Sequence, residues 1–133
     1  MAQSWESVRR SFEAANVAHV ATLMPDGSPH SVPVWVGVEG DDLAFFSIAR
    51  SVKDRNIQAD PRVALSIVDP ANMLSHAAVR GRVHRRLEGA EAMPIVDRIA
   101  RKYTGKPYDI RTGIAVFLVD PVRSWSVDYS GRE

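Results

Sequence analysis

The segment from Ser31 to Val38 changes residue type at every step: Val32, Val34, Val36 and Val38 are separated by Pro33, Trp35 and Gly37. Successive side chains of an extended chain point to opposite faces, so the valines share one face and Ser31, Pro33, Trp35 and Gly37 the other. The pattern predicts a strand over 29–38 with its valines toward the core of a sheet or barrel. Pro33 narrows the choice further. It has no N–H to give to a ladder, which argues against a central, fully paired position. Trp35 places a large ring on the face the valines leave, and such a ring calls for a helix, a subunit or a planar ligand to cover it.

The residues that follow complete a unit. Glu39-Gly40-Asp41-Asp42 reads as a turn and Leu43–Ile48 as a strand with Phe45 and Phe46 on opposite sides. Arg50–Ala59 reads as a short basic helix, and Val63–Val68 as the next strand. Ser51 followed by Asp54 has capping-box spacing. The first turn of a helix leaves backbone N–H groups free, and Arg50 and Lys53 bring positive charge to the same end. Two readings of these residues stay open: a seat for a phosphate, or a solvated basic helix.

Elsewhere the chain predicts a helix over 4–15 with Trp5, Val8, Phe12 and Ala15 on its apolar side, a strand over 17–23 and a Pro-Asp-Gly turn at 25–27. A long strand is expected over 75–85, where Gly81 marks a bulge or a close backbone approach. The main helix falls within 88–104, with Ala92, Val96, Ile99 and Tyr103 as its buried stripe and Thr104-Gly105 as its stop. Strands over 113–119 and 122–129 follow, with Asp120-Pro121 as the turn between them. Short connections make most strand pairs antiparallel. The expected fold is therefore mainly β with short helices: a six- or seven-stranded antiparallel closed or split barrel, or else an open α+β sheet. The 133 residues are expected to form one domain.

Several chemistries are excluded. The chain has no cysteine, so it has no disulfide, thiol nucleophile or thiolate metal site. The net charge of +1 gives no broad footprint for nucleic acid. No apolar run reaches membrane-spanning length, and Met1–Arg10 has no signal-peptide core, so a cytoplasmic protein is expected. His19, His30, His76 and His84 show no metal-ligand spacing, and no metal site is expected. Of these, His76 opens a strand and is a candidate ligand contact. No nucleophile elbow, P-loop or dinucleotide fingerprint is present. If the protein is an enzyme, a bound cofactor carries the chemistry, with its phosphate at Ser51 and Lys53 and a planar ring along Ser31–Trp35.

The stretches ATLMPDGSPHSVPVWV at 21–36, FFSIARSVKDRNIQADPRVALSIVD at 45–69, VRGRV at 79–83 and RKYTGKPYD at 101–109 carry a resemblance. In their order and spacing the sequence resembles the pyridoxamine-phosphate-oxidase-like split β-barrel proteins, of the FMN-binding split barrel type. It is most similar to their short, deazaflavin-dependent branch. That resemblance implies a homodimer with a flavin or deazaflavin in each interface groove. It implies phosphate contacts at Ser51 and Lys53, a ring lined by Val32, Pro33, Val34 and Trp35, and Ser47 near the ring or ribityl chain. Arg50 and Arg55 are implied near the phosphate or an acidic tail, with Lys102 and Lys106 as further cations for that tail. Asn56 follows Arg55 in the helix pattern. Contacts across the interface are implied from the loop before the strand over 75–85 and from the C-terminal strand around Trp125. Val52 departs from the pattern, since FMN-dependent oxidases often carry arginine there. The short chain also lacks room for a substrate-binding tail, which makes vitamin B6 oxidation a poor expectation. The implied activity is hydride transfer from reduced coenzyme F420 to an unsaturated small molecule. An FMN-dependent reductase or oxidase and a non-catalytic binding protein are the alternatives.

Overall fold

The computed structural model describes residues 3–131. Among them the chain runs α1 (Trp5–Glu13), β1 (Ala18–Leu23), β2 (Pro29–Val34), β3 (Val36–Glu39), β4 (Asp42–Ile48), α2 (Val52–Ala59), β5 (Arg62–Asp69), β6 (Asn72–Glu88), α3 (Met93–Thr104) and β7 (Ile114–Asp128). A 3-10 turn at Gly89–Glu91 leads into α3. The strands form one antiparallel sheet in the order β2-β1-β5-β6-β7-β4-β3.

That order closes the sheet. β2 and β3 are its two edges, yet only Trp35 separates them in the chain. Edges one residue apart can exist only if the sheet curls until they meet, which makes a split barrel. The single strand expected over 29–38 is thus two, broken at Trp35. Pro33 sits on the edge strand β2, opposite His19, where its missing N–H costs no ladder bond. The exposed edge of β3 is covered by α3: Tyr103 Oη accepts the Val36 N–H at 3.1 Å and Lys102 Nζ donates to the Val36 carbonyl at 2.5 Å.

The barrel interior is filled by Val20, Val34, Val36, Phe45, Leu65, Val79 and Phe117, with Val8 and Phe12 of α1 plugging one end. Ser4 caps α1 by accepting the Ser7 N–H. The helix stops at Glu13, so Ala15, expected on its apolar face, lies beyond it and is exposed. A second core lies outside the barrel, where Ile95, Val96, Ile99 and Ala100 of α3 cover Ala44, Phe46, Ile114 and Val116. Phe45 and Phe46 therefore enter different cores, as their alternation requires. Pro94 stands in the first turn of α3, where no N–H is needed, and Gly105 ends the helix at φ 81°.

The largest difference from the sequence reading lies in β7. Asp120-Pro121 is not a turn; the strand runs through it from Ile114 to Asp128. Pro121 pairs with Gly81 at a register shift in β6, and a bulge leaves a residue unpaired. Gly81 is required there, because a Cβ would lie 2.4 Å from the Asp120 carbonyl oxygen. Two expected strands thus merge in β7 and one splits at Trp35, so the total stays at seven.

Candidate cofactor site

Outside the barrel, the end of β4 and the start of α2 face the break at Trp35. Between them lies a groove of about 520 Å3 lined by Val17, Pro33, Val34, Trp35, Phe46, Ser47, Ile48, Lys53, Tyr108 and Ile114. Its walls are apolar and aromatic, and among the described residues no carboxylate lines it. Trp35 stacks on Tyr103 at 4.9 Å with the rings 5° from parallel, and meets Phe46 and Tyr108 edge-on. Tyr108 is held in turn by Asp97, whose carboxylate accepts the Tyr108 N–H at 3.1 Å and the Arg111 guanidinium at 2.7 Å. Trp35 is thus fixed from several sides, and a planar wall fixed in this way suits a planar ligand.

The polar end of the groove is a three-residue cluster. Lys53 Nζ donates to Ser47 Oγ at 2.8 Å, and Ser47 Oγ lies 3.0 Å from Ser51 Oγ. Ser51 caps α2 by accepting the Asp54 N–H at 3.3 Å. The N–H groups of Val52 and Lys53 open the helix and have no intrahelical acceptor. Burial pushes the Lys53 ammonium below its ordinary value, against the pull of Asp54. Among the described residues no carboxylate forms an ion pair with it. A half-buried cation, two hydroxyls and free helix N–H groups at one point fit a phosphate.

Asp54 is the local negative charge, and the fold turns it away. It is fully buried and takes both Nε (2.8 Å) and Nη2 (2.6 Å) of Arg86 from β6. It also accepts the Arg50 N–H at 2.7 Å, which holds Arg50 at a left-handed φ of 68°. Burial alone would raise its carboxyl; the Arg86, Arg50 and Gln58 donors outweigh that and keep it below the usual range.

The other residues singled out in the sequence divide into groups. Pro33, Val34, Trp35, Ser47 and Lys53 line the groove, and Ser51 closes its polar end. Val32 points into the barrel core. Asn56 is buried and donates to Thr22 Oγ1 at 3.0 Å, tying α2 to β1. Arg55 donates to the Arg50 carbonyl and faces a separate cleft beside the β1–β2 turn. The Arg50 side chain is exposed and 3.7 Å from Glu88. Lys102 is not free for an acidic tail, since its ammonium also donates to the Phe12 carbonyl at 3.0 Å. His76 pairs with Val127 and Trp125 with Ala78, on an outer sheet face away from Lys53. Phe46 and Tyr108 are wall residues that the sequence reading did not assign to the site. The alternation of Phe45 and Phe46 could have indicated the first; Tyr108 follows α3 in an irregular stretch with no periodic signal.

The fold is thus a split barrel with a hydroxyl–amine cluster beside a planar aromatic wall. A family model for pyridoxamine 5'-phosphate oxidase matches residues 4–127, and the chain belongs to that family. Among solved structures it is similar to an F420 reductase, with 27% identity, TM-score 0.78, and 94% of this chain and 98% of that chain covered. It is also similar in fold to a conserved hypothetical protein from Mycobacterium tuberculosis, with 22% identity, TM-score 0.80, and coverage of 96% and 86%. A pyridoxamine 5'-phosphate oxidase-related, FMN binding protein from Nostoc punctiforme shares the fold, with 20% identity, TM-score 0.68, and coverage of 96% and 82%. A search of curated proteins found no match.

Proposed function

We propose that this chain is an oxidoreductase that holds coenzyme F420 in the Trp35 groove and passes hydride from its reduced form to an unsaturated organic substrate. The observation that carries the reading is the Ser47–Ser51–Lys53 cluster, a half-buried cationic seat at the end of an aromatic groove. The similarity to an F420 reductase supports the deazaflavin over the flavin. Val52 between Ser51 and Lys53 supports it as well, since an arginine there would add a second charge for FMN.

In this reading Ser51, Lys53 and the first N–H groups of α2 hold the phosphate, and Ser47 orients the Lys53 ammonium toward it. Pro33, Val34 and Trp35 bear on one side of the ring, with Phe46 and Tyr108 completing an apolar wall that excludes water. The bound deazaflavin supplies the hydride. No side chain of the groove is assigned as proton donor, and water serves that role. The site is completed by a second copy of the chain, which covers the outer sheet face and brings its own His76 or Trp125 toward the groove.

Parallel titration of the protein with F420 and with FMN, followed by cofactor fluorescence, tests the reading. Saturable F420 binding with much weaker FMN binding is expected, and Lys53→Ala should weaken F420 binding by about tenfold or more, the worth of one charge-assisted contact. Tight FMN binding would move the assignment to a flavin-dependent reductase. Unchanged affinity in Lys53→Ala would remove the phosphate seat.

A further inference from the structure

Ser51, Ser47 and Lys53 form more than an anion seat. Nζ of Lys53 is 2.8 Å from Ser47 Oγ, which is 3.0 Å from Ser51 Oγ with either hydroxyl able to donate, so with the amine neutral the same contacts can run from Ser51 through Ser47 to Lys53. A nucleophile, a bridging hydroxyl and a base within hydrogen-bond reach are the parts of a serine–lysine acyl-transfer centre. We propose that Ser51 is a nucleophile activated through Ser47 by Lys53, and that the groove accepts acyl groups from small, neutral, apolar esters. The inference does not rest on the cofactor reading.

The assignment of roles follows from exposure and position. Ser47 lies on β4 and is buried, 9% exposed, which suits a bridge. Ser51 is more open, at the mouth of α2, next to the unpartnered N–H groups of Val52 and Lys53. Those two donors open α2 directly after Ser51, and an oxyanion formed on a carbonyl attacked by Ser51 would draw on them. Asp54, which would oppose that charge, is neutralised by Arg86 on the far side of the loop. Burial lowers the Lys53 pKa, which raises the fraction of neutral amine able to take a proton. The acyl or leaving group would lie against Phe46, Ile48, Tyr108 and Ile114. With no carboxylate in the lining and an apolar wall, a neutral ester is favoured over a cationic one.

The step balances without a further reactant. Ser51 Oγ forms a bond to the ester carbonyl carbon while its proton passes to Ser47 Oγ and that of Ser47 to Lys53 Nζ. The carbonyl electron pair moves onto oxygen. When it returns, the carbon–oxygen bond to the alcohol breaks, and the alcohol leaves with the proton from Lys53. Water repeats the sequence on the acyl-serine and releases the acid.

The test uses the 133-residue chain and p-nitrophenyl acetate. Release of p-nitrophenolate is followed on the stopped-flow scale, and the acetyl group is located by mass spectrometry of peptides. A burst equal to the protein concentration is expected, with the acetyl on Ser51. Ser51→Ala should abolish it. Lys53→Arg keeps the charge but cannot accept a proton, so it should slow acylation by about 100-fold or more. If Lys53→Arg fails to fold, the mapped site in the unaltered chain and in Ser51→Ala decides alone. Acetyl found only on surface lysines, or a burst unchanged in Ser51→Ala, would overturn the proposal. F420 or FMN binding without acyl-Ser51 overturns this inference and leaves the cofactor reading intact. Acyl-Ser51 without cofactor binding supports this inference and counts against the cofactor reading.

Discussion

Asp54 shows how one residue sets the electrostatics of the site. It sits one position after Lys53, yet its charge is directed inward, to Arg86 Nε and Nη2, and to the Arg50 N–H. Removing Asp54 leaves the partly buried Arg86 with Glu88 as its remaining carboxylate and the Arg50 N–H without its acceptor. Asp54→Ala should therefore destabilise the protein by about 3 kcal/mol, measured by urea unfolding. It should also weaken cofactor binding, because Arg50 loses the acceptor that holds its left-handed φ. The pH dependence has a definite sign. The Asp54 carboxyl is held below the ordinary 3.8 of the unfolded chain, so its contribution is whole above about pH 4 and falls as pH drops through the folded value. Acid unfolding of the wild type should be steeper there than that of Asp54→Asn. The sequence could not indicate the pair: Arg86 is far along the chain and reaches Asp54 only because β6 extends to Glu88.

At the scale of elements, two local devices close the barrel. Gly81 lets β7 pass within contact of β6 at Pro121. Gly81→Ala places a Cβ 2.4 Å from a backbone oxygen, so one strand must shift. A loss of about 2 kcal/mol in unfolding free energy is expected from urea denaturation, within the usual range for overpacking. Lys102 is the second device. It ties α3 to the end of α1 and to β3 through the Phe12 and Val36 carbonyls. Burial lowers its pKa to about 8, with Glu13 on α1 acting the other way. Glu39 of β3 lies beside the same cleft, paired with Arg98 of α3. Below about 8 both folded and unfolded chains hold the proton, and the fold carries the cost of the buried charge. Between about 8 and 10.5 the unfolded chain binds more protons, so stability rises with pH. The neutral amine still has an N–H for each carbonyl. The melting temperature of the wild type should gain on that of Lys102→Met as pH rises through this window. Periodicity made the valine face, both phenylalanine faces and the α3 stripe legible in the sequence, because those contacts are set by local spacing. The break at Trp35 and the passage of β7 through Pro121 were not legible. Both are decided by partners distant in sequence: α3 for the first and the β6 bulge for the second.

For the molecule as a whole, the open question is the outer face of β1, β5 and β6. No helix covers it. Ala21, Ala64, Arg80 and Val122 line a groove of about 390 Å3, and Ser66, Ala78 and Trp125 continue it along the strands. Small side chains in the middle leave the face flat enough for another sheet to approach. Its ends differ in charge. Arg62 stands opposite Arg82, and Arg80 opposite Arg123, at one end. Asp60 pairs with Arg62 at 2.7 Å and the Trp125 ring lies under Arg80 at 5.2 Å, and an acidic partner surface would ease the remaining repulsion between these opposed arginines. Asp69 and Asp128 lie at the other end of β5 and β7. Two copies related by a two-fold axis, with strands running in opposite directions, would bring each arginine end beside the partner's strand ends that carry Asp69 and Asp128. This is the arrangement that would carry His76 and Trp125 of one copy toward the groove of the other. Ala64 lies in both stretches of the trough. Ala64→Arg would put bulk and charge at its centre while pointing away from both cores. Sedimentation should then show a dimer for the wild type and a monomer for Ala64→Arg, with similar far-UV circular dichroism. Cofactor quenching should weaken in the same variant, although no groove residue has changed. A monomeric wild type, or an Ala64→Arg dimer of unchanged affinity, would show that one chain builds the whole site and that this face serves something else.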